Sequence, residues 1–268
     1  MPASTRPRVE EPGLPAVLPA AAAGPDEPDD GLSGARLILQ EGLFWSVYEP
    51  VVSLQTGQVI GYEGLARFAR PDGTPVSPAT LFALLHGSPS LLLEAELAVK
   101  RHQVAHAPQG VELFVNLDPD SWAAAGETLD NPLLDLVAGA PGKLVVEVIE
   151  NLDAADATVA RGFVAALRAR GLRIALDDVG AANSLLSFES LDEAEVLKFD
   201  RSMLRRLGRP RRRAIVQALA RMARETGART VLEGVETAAD LQLAHELGVD
   251  LVQGWYFKEL CVTAGRHP

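Results

Sequence analysis

From residue 44 onward, short runs rich in β-branched and apolar residues alternate with longer runs of helical periodicity. The β-like runs are residues 44–52, 59–68, 111–118, 144–149, 172–178, 196–200, 230–234 and 249–253. The helical runs include residues 90–107, 154–170, 211–226 and 238–247. Thr237 stands where the last of these needs an N-cap, and Gly248 and Gly171 stand where two of them should stop. Strands alternating with helices build a sheet covered by helices, and eight such strands suffice to close it. One connection breaks the regularity. Only residues 53–58 separate the first two runs, with Gly57 for the turn. A parallel crossover needs about a dozen residues or more. The expected fold is therefore α/β, a modified TIM (β/α)8 barrel with an antiparallel first strand.

The chain length of 268 residues suits one such domain, and 47% apolar residues suffice for its core. Residues 1–33, rich in Pro, Ala, Asp and Glu without periodicity, read as a disordered tail or linker. Order is expected from near Ala35, the barrel domain from residue 34 to 262, and a frayed end over residues 263–268. No apolar run approaches the roughly 20 residues of a membrane span, and the start lacks the pattern of a signal peptide. The single cysteine, Cys261, forms no internal disulfide, which fits a reducing cytoplasm. The net charge of −11 disfavours a nucleic-acid polymer as partner. An anionic ligand would need cations or local arginines at its site.

The ends of the strands carry the chemistry. In order along the chain they offer Glu63, Asn116, Glu147 with Glu150 just beyond, Asp177 and Asp178, Lys198 and Asp200, Glu233 and then Glu236, and Gln253. A carboxylate inside an apolar strand is costly unless paired or bound to metal. Acids at strand ends also make salt bridges and helix caps, but these recur at the same phase of successive strands. In barrels of this kind the C-terminal strand ends form the functional face. Carboxylate and amide oxygens without His or Cys suit Mg²⁺ or Mn²⁺, and this many anions suit two ions. A two-ion site activates water for phosphoryl displacement. Lys198 either neutralises the acids or serves the attacking water.

These segments together resemble the EAL-domain family of bacterial cyclic di-GMP phosphodiesterases. GYEGLARF (61–68) resembles the signature segment, followed in order by FVNLDP, EVIE, LDDVG, LKFDRSML, LEGVET and LVQGWYF. The resemblance runs from about Ala35 to Leu260. It implies hydrolysis of cyclic di-GMP to linear pGpG with two ions, Mg²⁺ or Mn²⁺. Glu63, Asn116, Glu147 and Asp177 would bind metal, with Asp178 on the second ion and Glu233 in support. Lys198 and Gln253 would engage the catalytic water, and Arg67 would clamp a phosphate. Asp200 and Glu236 would face the substrate, and Glu150 would tether the loop after the fifth strand. A homodimer is the expected assembly.

Several positions depart from the family pattern. Gly64, Glu49, Trp255 and Leu260 replace the usual Ala or Val, Gln, Tyr and Pro. The loop after the fifth strand reads DDVGAANSLL instead of DDFGTGYSSL, so Val179, Ala181, Ala182, Asn183 and Leu185 all differ. That loop motivates two alternatives: a catalytically weak or silent cyclic di-GMP receptor, and a protein-interaction module. Among weaker signals, His102 and His106 share a helix face without a third ligand nearby. Arg205, Arg206, Arg209, Arg211, Arg212 and Arg213 read as a solvated helix start or a docking surface. Trp45, Trp122 and Trp255 read as packing residues, although Trp255 also lies near the site, where it could contact a guanine.

Overall fold

A computed structural model of the chain describes residues 31–140, 142–149, 154–181, 186–206 and 210–265. These residues form ten strands: β1 (Phe44–Ser53), β2 (Val59–Ala69), β3 (Pro75–Val76), β4 (Glu112–Asn116), β5 (Lys143–Ile149), β6 (Arg173–Val179), β7 (Val196–Phe199), β8 (Arg229–Leu232), β9 (Leu251–Val252) and β10 (Val262–Ala264). Eight of them close a barrel in the order β1-β2-β4-β5-β6-β7-β8-β9, with β9 returning to β1. β1 runs antiparallel to both neighbours, and the remaining barrel pairs are parallel. The short first connection has the consequence expected of it: Gly57 adopts φ 69° and its N–H donates to Ser53 O at 2.8 Å, closing a hairpin.

Each β-like run of the sequence overlaps one barrel strand. The four long helices, Pro89–His106, Ala154–Ala169, Pro210–Thr226 and Ala238–Leu247, match their periodic runs to within a residue at either end. Thr237 caps the last of these in a reciprocal box with Asp240, and Gly248 ends it in the left-handed region at φ 75°. Shorter helices escape a periodicity argument because they last little more than two turns at most. Pro78–Leu85, Pro119–Ala124 and Pro132–Ala138 each open on a proline, whose missing N–H costs nothing there.

Two boundaries differ from expectation. The helix Leu32–Gln40 begins inside the segment read as tail, with Ala35 and Ile38 buried against the Pro78–Leu85 and Pro89–His106 helices. Residues 1–30 of that segment lie outside the described residues. At the other end, residues 263 and 264 of the segment read as frayed belong to β10, which pairs Ser46 with Ala264 and Tyr48 with Val262. β1 is ten residues long, and β9 covers only Val52 and Ser53 of it. The edge at Ser46–Tyr48 therefore needs another partner for its backbone groups, and β10 supplies it.

Helices cover the outer face of the barrel through apolar clusters around Leu113, Val146 and Phe163 on one side and Leu197, Val216 and Val252 on the other. Inside, a separate layer takes one residue from each of seven strands: Val51, Phe114, Val145, Ala175, Val196, Val231 and Leu251. Gly61 of β2 completes it, because a Cβ there would lie 2.8 Å from the Phe114 ring. This layer plugs the barrel and supports the site.

Candidate active site at the open end of the barrel

Side chains on one face of a strand repeat every second residue. Two residues beyond the apolar plug, the parallel strands and the turns that follow them therefore present Glu63, Asn116, Glu147, Asp177, Lys198, Glu233 and Gln253 toward the barrel axis. β1 runs the other way, so its member lies two residues before Val51. It is Glu49, the direct cross-strand partner of Glu63. The sequence reading noticed Glu49 only as a departure from pattern. Counting backward on the antiparallel strand would have placed it in the ring.

Lys198 stands at the centre. Its Nζ lies 2.6 Å from Glu147, 2.9 Å from Glu233, 3.2 Å from Glu63 and 3.3 Å from Asp177. Asn116 Nδ2 donates to Glu63 Oε1 at 3.0 Å, and Gln253 Nε2 donates to Glu63 Oε2 at 2.6 Å. Glu63 is thus fully engaged, whereas Glu147 Oε2 is buried with no hydrogen-bond partner among the described residues.

A bulge brings two acids of one strand to the same place. β6 pairs Leu176 with Leu197 and next Val179 with Phe199, so Asp177 and Asp178 together oppose Lys198. Consecutive strand residues ordinarily face opposite ways. Here Asp178 adopts φ 55° and donates its N–H to Asp177 Oδ1 at 3.0 Å. Oxygens of Asp177, Asp178 and Glu233 consequently lie within 4.8 Å of one another, a spacing suited to a shared cation.

The electrostatics reflect too many anions for one ammonium. Burial pushes Glu147 well above the usual carboxylate range, and Glu63 adds to this against the pull of Lys198. Burial likewise raises Glu233 to about 8, with Asp177 and Glu63 adding to the rise against Lys198. Asp178 is raised by burial and by Asp177 and Asp200. Burial also opposes ionisation of Glu63, but Lys198, Gln253 and the other donors lower it overall. Burial works against the Lys198 charge, yet Glu147, Glu63, Glu233 and Asp177 hold it well above the ordinary lysine value. Lys198 is thus the buried cation shared by four of these acids. The ring holds more acids than one ammonium, and their oxygens suit a hard divalent cation.

Two cavities flank the ring. The smaller, about 380 Å³, is lined by Glu49, Glu63, Asp177, Glu233, Glu236 and Gln253, with Trp255 at its edge. Trp255 is 68% exposed, so it is not a packing residue, and Lys258 Nζ lies over its ring at 5.4 Å from the centre. The larger, about 540 Å³, is lined by Arg67, Asn116 and Glu147 together with Phe82, Asp118 and Lys100. Asp200 caps the turn after β7 by accepting from Ser202 N at 2.9 Å, close enough to Asp178 to raise it. Glu150 and residues 182–185 of the divergent loop lie outside the described residues, as does Arg209 of the basic run.

The larger cavity holds groups that the sequence reading missed. Glu96 and Lys100 form a buried pair at 3.3 Å on the helix Pro89–His106. They share a face with Leu92, Ala95, Val99 and Gln103, so charges in that apolar stripe were the available signal. His86 stands 2.9 Å from Asp118 and 3.5 Å from Asp120 at the same cavity. His102 and His106 stack with ring centres 4.2 Å apart, and His102 meets Ser46 Oγ at 2.8 Å. Trp122 packs in the core against Phe163, as expected.

Comparison with known proteins agrees with this geometry. The EAL domain family matches residues 33–259. RocR of Pseudomonas aeruginosa, a cyclic di-GMP phosphodiesterase, is 29% identical over 82% of this chain and 58% of its own. PdeB of Escherichia coli, a probable cyclic di-GMP phosphodiesterase, is 26% identical over 79% of this chain and 42% of its own. Relatives from Synechocystis, Azorhizobium caulinodans and Sinorhizobium fredii are longer still, the chain spanning 27–33% of their length. Among solved structures, the PaMucR phosphodiesterase in complex with c-di-GMP superposes with a TM-score of 0.64 at 27% identity, covering 84% of this chain and 94% of that one. The FimX EAL domain of Pseudomonas aeruginosa shares the fold, with a TM-score of 0.64 at 24% identity over 86% of this chain and 95% of that one. The chain belongs to the EAL domain family.

Proposed function

We propose that the chain is a divalent-metal-dependent phosphodiesterase that hydrolyses cyclic di-GMP to linear pGpG. The observation that carries this reading is the inward ring: six carboxylates, Glu49, Glu63, Glu147, Asp177, Asp178 and Glu233, with Lys198 as the ammonium that four of them share. Glu63, Asn116, Glu147, Asp177 and Asp178 are the residues that would hold two Mg²⁺ or Mn²⁺ ions. Bound there, such ions supply Lewis-acid activation of water and charge stabilisation at phosphorus.

The chain's own groups do the rest. Lys198 and Gln253 offer N–H donors beside Glu63, where an attacking water would be oriented. Arg67 presents a guanidinium fork to a phosphate. The exposed ring of Trp255 at the edge of the smaller cavity suits a guanine. Asp200 and Glu236 supply acceptors at the substrate's periphery. A silent receptor has no physical need for a buried set of repelling carboxylates, so the ring favours catalysis over binding alone. We place the protein in the cytoplasm as a homodimer. The lone Cys261 fits that compartment, and Phe188, 89% exposed after the divergent loop, would offer an apolar side chain to a partner copy.

The test uses chelator-stripped protein given back Mg²⁺ or Mn²⁺. Cyclic di-GMP should be converted to pGpG, and Glu63→Gln should lose more than the roughly 100-fold typical of an outer-shell change. Folded, metal-loaded protein that leaves cyclic di-GMP intact would refute the proposal.

A further inference from the structure

Glu49 is the ring member that the proposed chemistry leaves unused. Its register partner is Glu63, and like charges directly opposite on neighbouring strands repel. The compensating cation is Arg67, whose NH2 lies 3.6 Å from Glu49 Oε1 while its NH1 donates to Ala66 O at 3.0 Å. Both side chains are about one-third exposed, at 34% and 35%. Such a pair is weak, and a phosphate offering two oxygens to the guanidinium can displace it. Arg67 lines the larger cavity and Glu49 the smaller, so the pair joins the walls of both. A ligand that puts a phosphate on Arg67 must first part it from Glu49.

We infer that Glu49 is a specificity-determining residue that competes with phosphates for Arg67 and disfavours the linear product more than the cyclic substrate. This rests on the phosphodiesterase reading. Hydrolysis breaks one phosphorus–oxygen ester bond. The water's hydroxyl joins phosphorus, and its proton ends on the departing sugar oxygen. A diester with one negative charge becomes a terminal monoester, which carries about 1.5 to 2 at neutral pH. While Arg67 holds the phosphate beside it, the Glu49 carboxylate therefore repels product more than substrate and favours its release.

Glu49→Gln keeps the shape and removes the charge; Glu49→Ala is the second variant. With Mn²⁺ and cyclic di-GMP, Glu49→Gln should lower KM by about threefold and the inhibition constant of pGpG by about tenfold. In an Arg67→Ala background both changes should vanish. Unchanged KM and inhibition constant in folded variants would overturn the inference. Equal changes in the two would overturn the discrimination between substrate and product. Effects that persist without Arg67 would overturn the competition. If the parent protein makes no pGpG, the hydrolysis reading fails separately. Calorimetry with cyclic di-GMP and pGpG then reads Glu49 directly, and equal affinities of the parent and Glu49→Gln proteins would refute its role.

Discussion

The Nζ of Lys198 lies 2.6 Å from Oε1 of Glu147, and both side chains are all but inaccessible to solvent. Glu63, Asp177 and Glu233 complete its shell within 3.3 Å. Removing one partner of a buried ion pair leaves uncompensated charge, at a cost of about 3–5 kcal/mol. Lys198→Met should therefore destabilise the metal-free protein by about that amount in denaturant titrations, and saturating Mn²⁺ should recover much of the loss. A metal-free variant as stable as its parent would mean that Lys198 is not the cation of this ring.

The raised carboxylates set a pH dependence. Glu233 moves from 4.5 to about 8 on folding, and Glu147 moves in the same direction. Between those values the folded state binds more protons than the unfolded one. The stabilisation is fully present below the unfolded value and is lost as pH rises through the folded one. Metal-free protein should thus melt at a lower temperature at pH 8.5 than at pH 6, on the scale of that window. Ligands must lose their protons to bind an ion, so the rise in Tm produced by Mn²⁺ should be larger at the higher pH. Calorimetric melts at both values, with and without Mn²⁺, check both signs.

Asp178 separates conformation from charge. Its φ of 55° is a region that Asn tolerates and Ala does not. Asp178→Asn should keep stability within about 0.5 kcal/mol, whereas Asp178→Ala should lose about 1–2 kcal/mol. Both should lose activity by more than about 100-fold, because both remove an anion from the candidate metal cluster. Parallel melts and pGpG assays of the two variants make the comparison.

Most of the barrel was legible because its signals are local. The hairpin of β1 and β2 follows from a connection too short for a crossover, and the long helices follow from period and caps. The acids follow from strand phase. What stayed hidden depends on pairing across the chain. β10 forms because β1 outruns β9, which no local pattern reveals. Glu49 joins the ring only once β1 is known to run backward and its count is reversed. The bulge at Asp177 and Asp178 needs the register against Lys198. The Glu96–Lys100 pair is buried only because the helix Pro89–His106 turns that stripe toward the barrel.

The far end of the barrel carries its own charge cluster. Glu112 meets Arg173 at 2.6 Å and Arg229 at 2.7 Å, tying β4 to β6 and β8. Burial opposes its ionisation, but the two guanidinium groups lower it overall. The stabilisation is present above the unfolded carboxylate value and is lost as pH falls through the folded one. Glu112→Gln should cost about 1–3 kcal/mol at pH 7 and flatten the acid limb of the stability curve, leaving the KM for cyclic di-GMP unchanged. Urea titrations from pH 3 to pH 7, beside a steady-state assay, measure both.

The most direct test of the carboxylate ring as a hydrolytic centre is product analysis in ¹⁸O-labelled water. Protein loaded with Mn²⁺ and given cyclic di-GMP should yield pGpG whose terminal phosphate carries one ¹⁸O, and Glu63→Gln should yield almost none. No pGpG from the folded, loaded protein, or pGpG without the label, would contradict a ring that directs water onto phosphorus.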